Sequence, residues 1–333
     1  MLSRVAESLY WMARYIERAE DISRLLAVNF NALLDSSPAD AQQAWESILK
    51  MNVDDSAFAD IHDKADSGSV IQFMFWEPLN TNSVAASVSR ARENARSVRE
   101  QISTEMWEAI NRLYFLTRNA DQETVLANPT EFLRLVRDRA QAFQGITSAT
   151  MTHGEPYQFI QLGLHLERAD KTARILDSKY IYLNRFPGGS AENSLQLIAL
   201  LRSCSAFEPF RRTSAGQLDI RKVVEYLLLD HEFPRAVLFC LDLCLGTLYS
   251  IGDDANVSPK SDPRRTLGRL RADLEYLDIH EILGGNMDPF LSRALVKLNS
   301  IGDDIATTYF STSIILPDER PRQQQQQQQQ MLA

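Results

Sequence analysis

The chain has 333 residues, 44% hydrophobic and 24% charged, enough for a soluble globular protein with a substantial core in one large domain or two smaller ones. Its net charge of -9 supplies no basic face for nucleic acid and no reason to invoke an anionic membrane. No run approaches the roughly 18 uninterrupted apolar residues of a transmembrane helix, and the charged N-terminus (Arg4, Glu7, Arg14, Glu17, Arg18) does not read as a secretory signal, so a cytoplasmic protein is expected.

Helical periodicity dominates, and strand-like alternation is nearly absent. Helices are expected over 2–35, 38–50, 83–119, 130–150, 155–182, 191–206, 219–229, 232–251, 262–282 and 288–315. Asn82 and Ser83 suit the cap of the third of these, Pro129 fits a first turn after Asn128, and Pro234 an early turn after "LLLDHE". "FPGG" (186–189) and "LGG" (283–285) read as stops. "VIQFMFW" (70–76) is the one candidate strand, expected to pack as an extended connector because no partner run is evident. The stretches 52–69 and 253–262 read as surface loops, and "DERPRQQQQQQQQMLA" has nothing with which to build a core. The expected fold is all-α, an elongated multi-helix bundle with internally repeated helices: one domain over 1–316 and a disordered glutamine-rich tail over 317–333.

The internal repeat carries the chemistry. In "LYWMARYIERAEDISRLL" (9–26) the apolar stripe runs through Leu9, Met12, Ile16, Ala19, Ser23 and Leu26. Glu20 falls about 40° from the centre of that stripe, inside the apolar face, with Glu17 and Arg24 on its shoulder at about 80–100°. Arg14, Arg18 and Asp21 are expected to point outward. "FIQLGLHLERADKTARIL" (159–176) repeats the frame, with Asp170 inside the stripe and Glu167 and Arg174 on its shoulder. Gly163 stands where Ala13 does, which allows a close helix approach. A weaker echo, "SRARENARSVRE" (89–100), has Arg92 in place of the inward acid.

A lone carboxylate on a core face is costly unless paired. Glu20–Arg24 and Asp170–Arg174 are both i,i+4 with the acid first, the favourable order, so a purely structural role is the plain reading. The sharper one has the two helices meeting across a pseudo-twofold. Glu17, Glu20, Glu167 and Asp170 would then converge with Arg24 and Arg174 on a polar pocket that binds a carboxylated peptide or amino acid, or holds a metal. Against the metal, Glu-x-x-His is missing, His165 lies about 100° from the stripe centre, on the side away from Glu167, and the arginines repel a cation. No metal and no cofactor is expected.

In "LRSCSAFEPFRR" (201–212), Glu208, Arg211 and Arg212 are candidates to join the cluster. Cys204, Cys240 and Cys244 form no CxxC and read as buried reduced thiols. Only seven of 35 basic residues are lysines, a bias toward the bidentate pairing of arginine with carboxylates. The two "SIGDD" segments (250–254, 300–304) read as surface acids. No Walker loop, GxGxxG or GxSxG occurs, which argues against nucleotide binding by this chain.

Taken together, "MLSRVAESLYWMARYIERAEDISRLL", "SRARENARSVREQISTEMWEAIN", "FIQLGLHLERADKTARILD", "LLRSCSAFEPFRR" and "VVEYLLLDHEFPRAVLFCL" resemble the bacterial alpha-E family, catalogued as a domain of unknown function, collinearly up to about residue 316. The resemblance implies an all-helical protein whose acidic motifs fall on Glu17, Glu20, Glu93, Glu167 and Asp170. The family's second motif more often has arginine than histidine at position 165. Family members are commonly encoded beside, or fused to, a circularly permuted ATP-grasp protein and a transglutaminase-like protein. That company implies an amidoligase-type, peptide- or amide-bond-forming system in the bacterial cytoplasm. In it this chain would bind a peptide or amino-acid substrate, or the ATP-grasp partner. The competing expectations are an enzyme using its buried acids as general acid and base, and a carboxylate-bridged metal protein.

Overall fold

Side-chain caps decide where many of the helices begin. The computed structural model describes residues 1–34, 36–52, 55–183, 188–214, 218–252, 262–283 and 287–311. The expected tail over 317–333, most of the 253–262 loop and part of each glycine stop (186–187 and 284–285) lie outside the described residues. All regular structure within them is helical.

The chain opens with α1 (Ser3–Ala32), followed by α2 (Pro38–Leu49), capped by Ser37 with Pro38 in the first turn. The stretch read as a loop holds α3 (Asp55–Ala59), and the candidate strand "VIQFMFW" is helical, within α4 (Ser67–Phe75). The reason is local. Asp66 and Ser69 form a capping box, each side chain accepting from the other's backbone N–H. The helix so started buries Val70, Ile71, Phe73, Met74 and Phe75, and tertiary packing overrides their strand preference.

The single helix expected over 83–119 is two, α5 (Val84–Ser97) and α6 (Thr104–Arg118), because Ser103 caps a new start by accepting from the Met106 N–H. Then come α7 (Gln122–Ala127), α8 (Pro129–Thr150), α9 (Glu155–Leu183), α10 (Ala191–Ser203), α11 (Phe207–Thr213) and α12 (Ile220–Leu229). The helix expected from 232 starts later, as α13 (Val237–Ile251). Asp230 Oδ1 accepts from the N–H groups of Glu232 and Phe233 and folds 230–236 into a turn, so Pro234 lies before the helix rather than in its first turn. The expected 262–282 helix divides into α14 (Pro263–Glu275) and α15 (Ile279–Leu283), and α16 (Met287–Ile305) closes in a π-helical turn, Ala306–Phe310.

Two helices form the axis of the molecule. Every residue of α1 from Ile16 to Leu26 is buried, because α5, α8, α9 and α10 surround it. On the second, α9, the partners are α1, α13, α16 and α10. Contacts advance together along the pair: Tyr10 meets Gly163, Glu17 meets Arg168 and Asn29 meets Lys179. α1 and α9 therefore run parallel, each residue facing its repeat equivalent about 150 positions on, as a pseudo-twofold requires. Gly163 makes this possible, since a Cβ there would stand 2.3 Å from the Tyr10 carbonyl oxygen.

Lys179 is buried at the far end of the seam, where its ammonium donates to Asn29 Oδ1 at 2.8 Å and lies 5.5 Å from the Tyr182 ring centre. Burial lowers its pKa from 10.5 to about 8. Between those values the unfolded chain holds the proton and the folded one does not, so stability rises with pH across that window. Lys179→Met is expected to abolish that rise, on the order of 2–3 kcal/mol between pH 7 and 10.5, in the difference between variant and parent urea-unfolding curves. Parallel curves would show the lysine to be solvated.

Candidate functional site

The parallel seam brings the two Glu-Arg dipeptides into reciprocal contact. Arg18 of α1 grips Glu167 of α9 with two bonds, Nε to Oε1 at 2.7 Å and Nη2 to Oε2 at 3.1 Å. Arg168 of α9 reaches back to Glu17 of α1, Nε to Oε1 at 2.9 Å. Glu17, Glu20 and Glu167 are all 0% exposed. Burying carboxylates this completely is tolerated because guanidinium groups and amides saturate their oxygens.

Around each crossed pair a network grows. In the first, Arg235 binds Glu17 at 2.7 Å, Glu20 at 2.7 Å and Asp21 at 2.6 Å. Arg24 pairs with Glu20 and Asp21 and donates to the Ser203 carbonyl at 2.8 Å. Gln141 donates to Glu20, Gln144 donates to Glu17, and the Gln144 carbonyl oxygen accepts from Arg168 at 2.8 Å. In the second network, Arg14 binds Glu167 at 2.6 Å, Lys171 stands 3.8 Å from it, and Arg174 binds Asp170 at 2.9 Å.

The four sequence-predicted acids are thus all buried, but in two networks flanking the seam rather than around one pocket. Glu17, Glu20 and Arg24 share one; Glu167, Asp170 and Arg174 share the other. Both i,i+4 pairs form as expected. Arg18 and Asp21, expected to point outward, are buried at 9% and 3% exposure, because α1 has no solvent face over Ile16–Leu26; Arg14, also expected outward, lies just before that stretch and is half-buried against Glu167. Glu208 and Arg211, candidates for the cluster, are exposed on α11 and join neither network; Arg211 instead packs its guanidinium near the Phe207 ring. Arg212 is exposed too, yet lines a cavity above the first network. Glu93 pairs with Arg96 on the surface.

Charge decides protonation here. Burial alone pushes Glu20 up, but Arg235 and Arg24 overcome it and hold the group at about 2. Burial also opposes the ionised form of Glu167, and Arg18, Arg14 and Lys171 outweigh it and keep the carboxyl far below its usual range. For Asp21 burial wins, with repulsion from Glu17 and Glu20 against Arg235 and Arg24, and the group rises to about 7. Its Oδ2 has no hydrogen-bond partner. Asp21 therefore exchanges its proton near neutrality.

Carboxylate oxygens of Glu17, Glu20 and Asp21 lie within 4.8 Å of one another, a spacing a metal could use. Every one of these oxygens except Asp21 Oδ2 already accepts from a guanidinium or an amide. The donor set is suited to arginine and disfavours a metal cation. The three cysteines are free and buried, and burial pushes Cys204 and Cys240 up to about 12, so neither offers a thiolate.

A cavity of about 570 Å³ opens over the first network. Gln141, Gln144, Arg168 and Arg235 border it from the network, while Arg212, Tyr226, Asp230 and Glu232 come from α11, α12 and the turn before α13. Ser205 is also on its wall with φ +55. It ends α10 in a Schellman arrangement, Ala206 N–H to Leu201 O at 2.7 Å and Ser205 N–H to Arg202 O at 3.0 Å, where glycine is the usual residue. Behind Gln144 and Arg168 lies a smaller chamber of about 190 Å³, reached by His165. That imidazole is 8% exposed and held neutral, at about 3, by burial and Arg168, and its Nδ1 has no partner.

Arg18 and Arg168 were legible as a repeated dipeptide but not as crossing partners. Arg235, Gln141 and Gln144 carried no signal in the sequence, since each becomes functional only through the packing of α8 and the α12–α13 turn onto α1. Thr172 fixes that turn by donating to the Arg235 carbonyl at 2.8 Å.

A family model matches residues 1–310: Alpha-E, described as a predicted alpha-helical domain with a conserved ER motif. Curated relatives include uncharacterised proteins of Mycobacterium bovis and of two strains of Mycobacterium tuberculosis, each 24% identical over 335 residues, covering 94% of this chain and 37% of the relative. The chain thus spans a little over a third of the length of the curated relatives it matches. No solved structure matches it. With its Glu-Arg dipeptides crossing at the centre of a helical fold matched from end to end of its described part, the chain belongs to the Alpha-E family.

Proposed function

We propose that this chain is the non-nucleotide-binding helical component of an ATP-grasp-linked system that forms peptide or amide bonds, and that its 570 Å³ cavity holds a carboxylate-bearing amino acid or peptide. The observation that carries the reading is the border of the cavity. Arg168 and Arg235 are held in place by buried carboxylates, so the guanidinium groups beside a ligand are oriented before it arrives. Preorganised, desolvated arginine is suited to carboxylates, and the volume is that of a small-molecule site. The chain lacks any phosphate-binding glycine loop, so activation by ATP falls to a partner.

A tagged form of the chain is expected to recover the ATP-grasp protein from its host and to change that protein's ATP turnover when added to it. Failure to recover the partner, with turnover unaltered, overturns the linkage.

A second reading, acid–base chemistry by the chain itself, draws on Asp21, a buried carboxyl raised to about 7 with Oδ2 unpartnered, which reaches the cavity only through Arg235. Asp21→Asn separates the two. A folded variant that has lost a bond-forming activity of the isolated chain supports chemistry, and unchanged ligand binding with no such activity in the parent excludes it.

A further inference from the structure

We infer that the cavity above the first network takes a zwitterion, a free amino acid or short peptide bound by both its carboxylate and its ammonium, with Arg212 receiving the first and Asp230 with Glu232 the second. This rests on the reading of the cavity as a carboxylate site and specifies what else the ligand carries.

Arg168 and Arg235 present oriented donors to a carboxylate, but Glu17, Glu20 and Asp21 already offset their charge, so the ligand's other charged groups are decided elsewhere. What remains is on the outer walls. Among the described residues Arg212 has no ion pair, and neither has Asp230 or Glu232, although all three line one cavity. A monocarboxylate would answer the cation and leave two acids facing it; a simple amine would do the reverse. A ligand with both groups satisfies each wall.

Tyr226 and Asp230 are held in place between those walls. Tyr226 stacks on Phe233 with ring centres 5.1 Å apart and meets Phe210 edge-on at 5.5 Å, which fixes its hydroxyl at the cavity. That phenol is pushed up to about 12 by burial and by Asp230 and eased by Arg212, so both opposite charges act on one side chain. It stays a neutral hydrogen-bond donor between the two walls. Asp230 commits Oδ1 to the backbone of its own turn, at 2.9 Å and 2.6 Å, which orients the carboxylate and leaves Oδ2 for a ligand. Arg168 and Gln144 supply the polar rear wall, and a volume of about 570 Å³ admits an amino acid or a short peptide.

The test uses the full chain and a panel of the common free amino acids and alanyl dipeptides, each beside its N-acetyl and C-terminal amide form, followed by thermal shift and isothermal titration. At least one free form is expected to bind, with both capped forms weaker by roughly tenfold or more, the loss of one charged hydrogen bond. Arg212→Gln should weaken the free form to the level of its amide, and Asp230→Asn with Glu232→Gln to the level of its N-acetyl form. Neither variant touches a buried pair, and the amide oxygen that Asp230→Asn leaves in place can still accept from the backbone of the turn.

If N-acetyl forms bind as tightly as free ones, the ammonium subsite is wrong while the carboxylate reading stands. If amides bind as tightly as acids, or nothing with a free carboxylate binds, both are wrong.

Discussion

Replacing Glu167 with Gln is expected to cost about 3–5 kcal/mol of folding stability, the range for removing one member of a buried ion cluster. The carboxylate is fully buried and answers Arg14, Arg18 and Lys171 together. Glutamine keeps the shape and one acceptor, but the buried cations then lack their counter-charge. Equilibrium urea unfolding of E167Q against the parent measures the loss. The comparison is E131Q, which removes an exposed partner of Arg134 and should leave the midpoint unmoved. Equal midpoints for the two variants would contradict a stabilising role for the crossed pairs. The pH dependence has a defined sign. Glu20 and Glu167 are held below their unfolded values, so their stabilisation is complete above about pH 4.5 and drains away in acid, for Glu20 as pH falls toward about 2. Asp21 acts oppositely: it is raised from 3.8 to about 7, so its contribution is present below the lower value and lost as pH rises through the upper.

Gly163→Ala is expected to destabilise the protein by about 2 kcal/mol net. Overpacking costs up to about 3 kcal/mol, against about 1 kcal/mol gained from alanine's better helix propensity. The added methyl would meet backbone, not a flexible side chain: the Tyr10 carbonyl oxygen at 2.3 Å and its carbon at 3.1 Å. α1 has little room to retreat, since α5, α8 and α10 close its other sides. Any shift that relieves the contact also slides Arg18 and Arg168 out of register with Glu167 and Glu17. Gly145 in α8 has open space where its Cβ would go, so Gly145→Ala should gain up to about 1 kcal/mol. Thermal melts of both variants check this pair, and a Gly163→Ala midpoint at or above the parent would show that the two helices are not in tight apposition.

Much of this was legible from residue type and spacing. Glu20 and Asp170 could be placed inside an apolar stripe because a helix maps sequence onto angle directly, and their arginines lay four residues on, within reach on the same helix. Gly163 announced a close approach by the side chain it lacks. "VIQFMFW" is helical rather than an extended connector because the capping box that starts the helix, Asp66 with Ser69, sits just upstream of it. The break between α5 and α6 was missed for a similar reason: Ser103 caps a helix inside what reads as one continuous pattern.

By itself the sequence determined the helical class, the repeat, and the burial of the inward acids with their nearest arginines, since each follows from periodicity along one helix. Only the tertiary structure decided which face of α1 met solvent, and over Ile16–Leu26 none did. A helical wheel assumes an outside, so it sent Arg14, Arg18 and Asp21 there. Arg18 and Asp21, packed on all sides, and the half-buried Arg14 could not be left unpaired, and the partners that satisfied them came from other elements: Glu167 about 150 residues away and Arg235 more than 210. Desolvation sets the requirement for a partner locally, but three-dimensional packing supplies it.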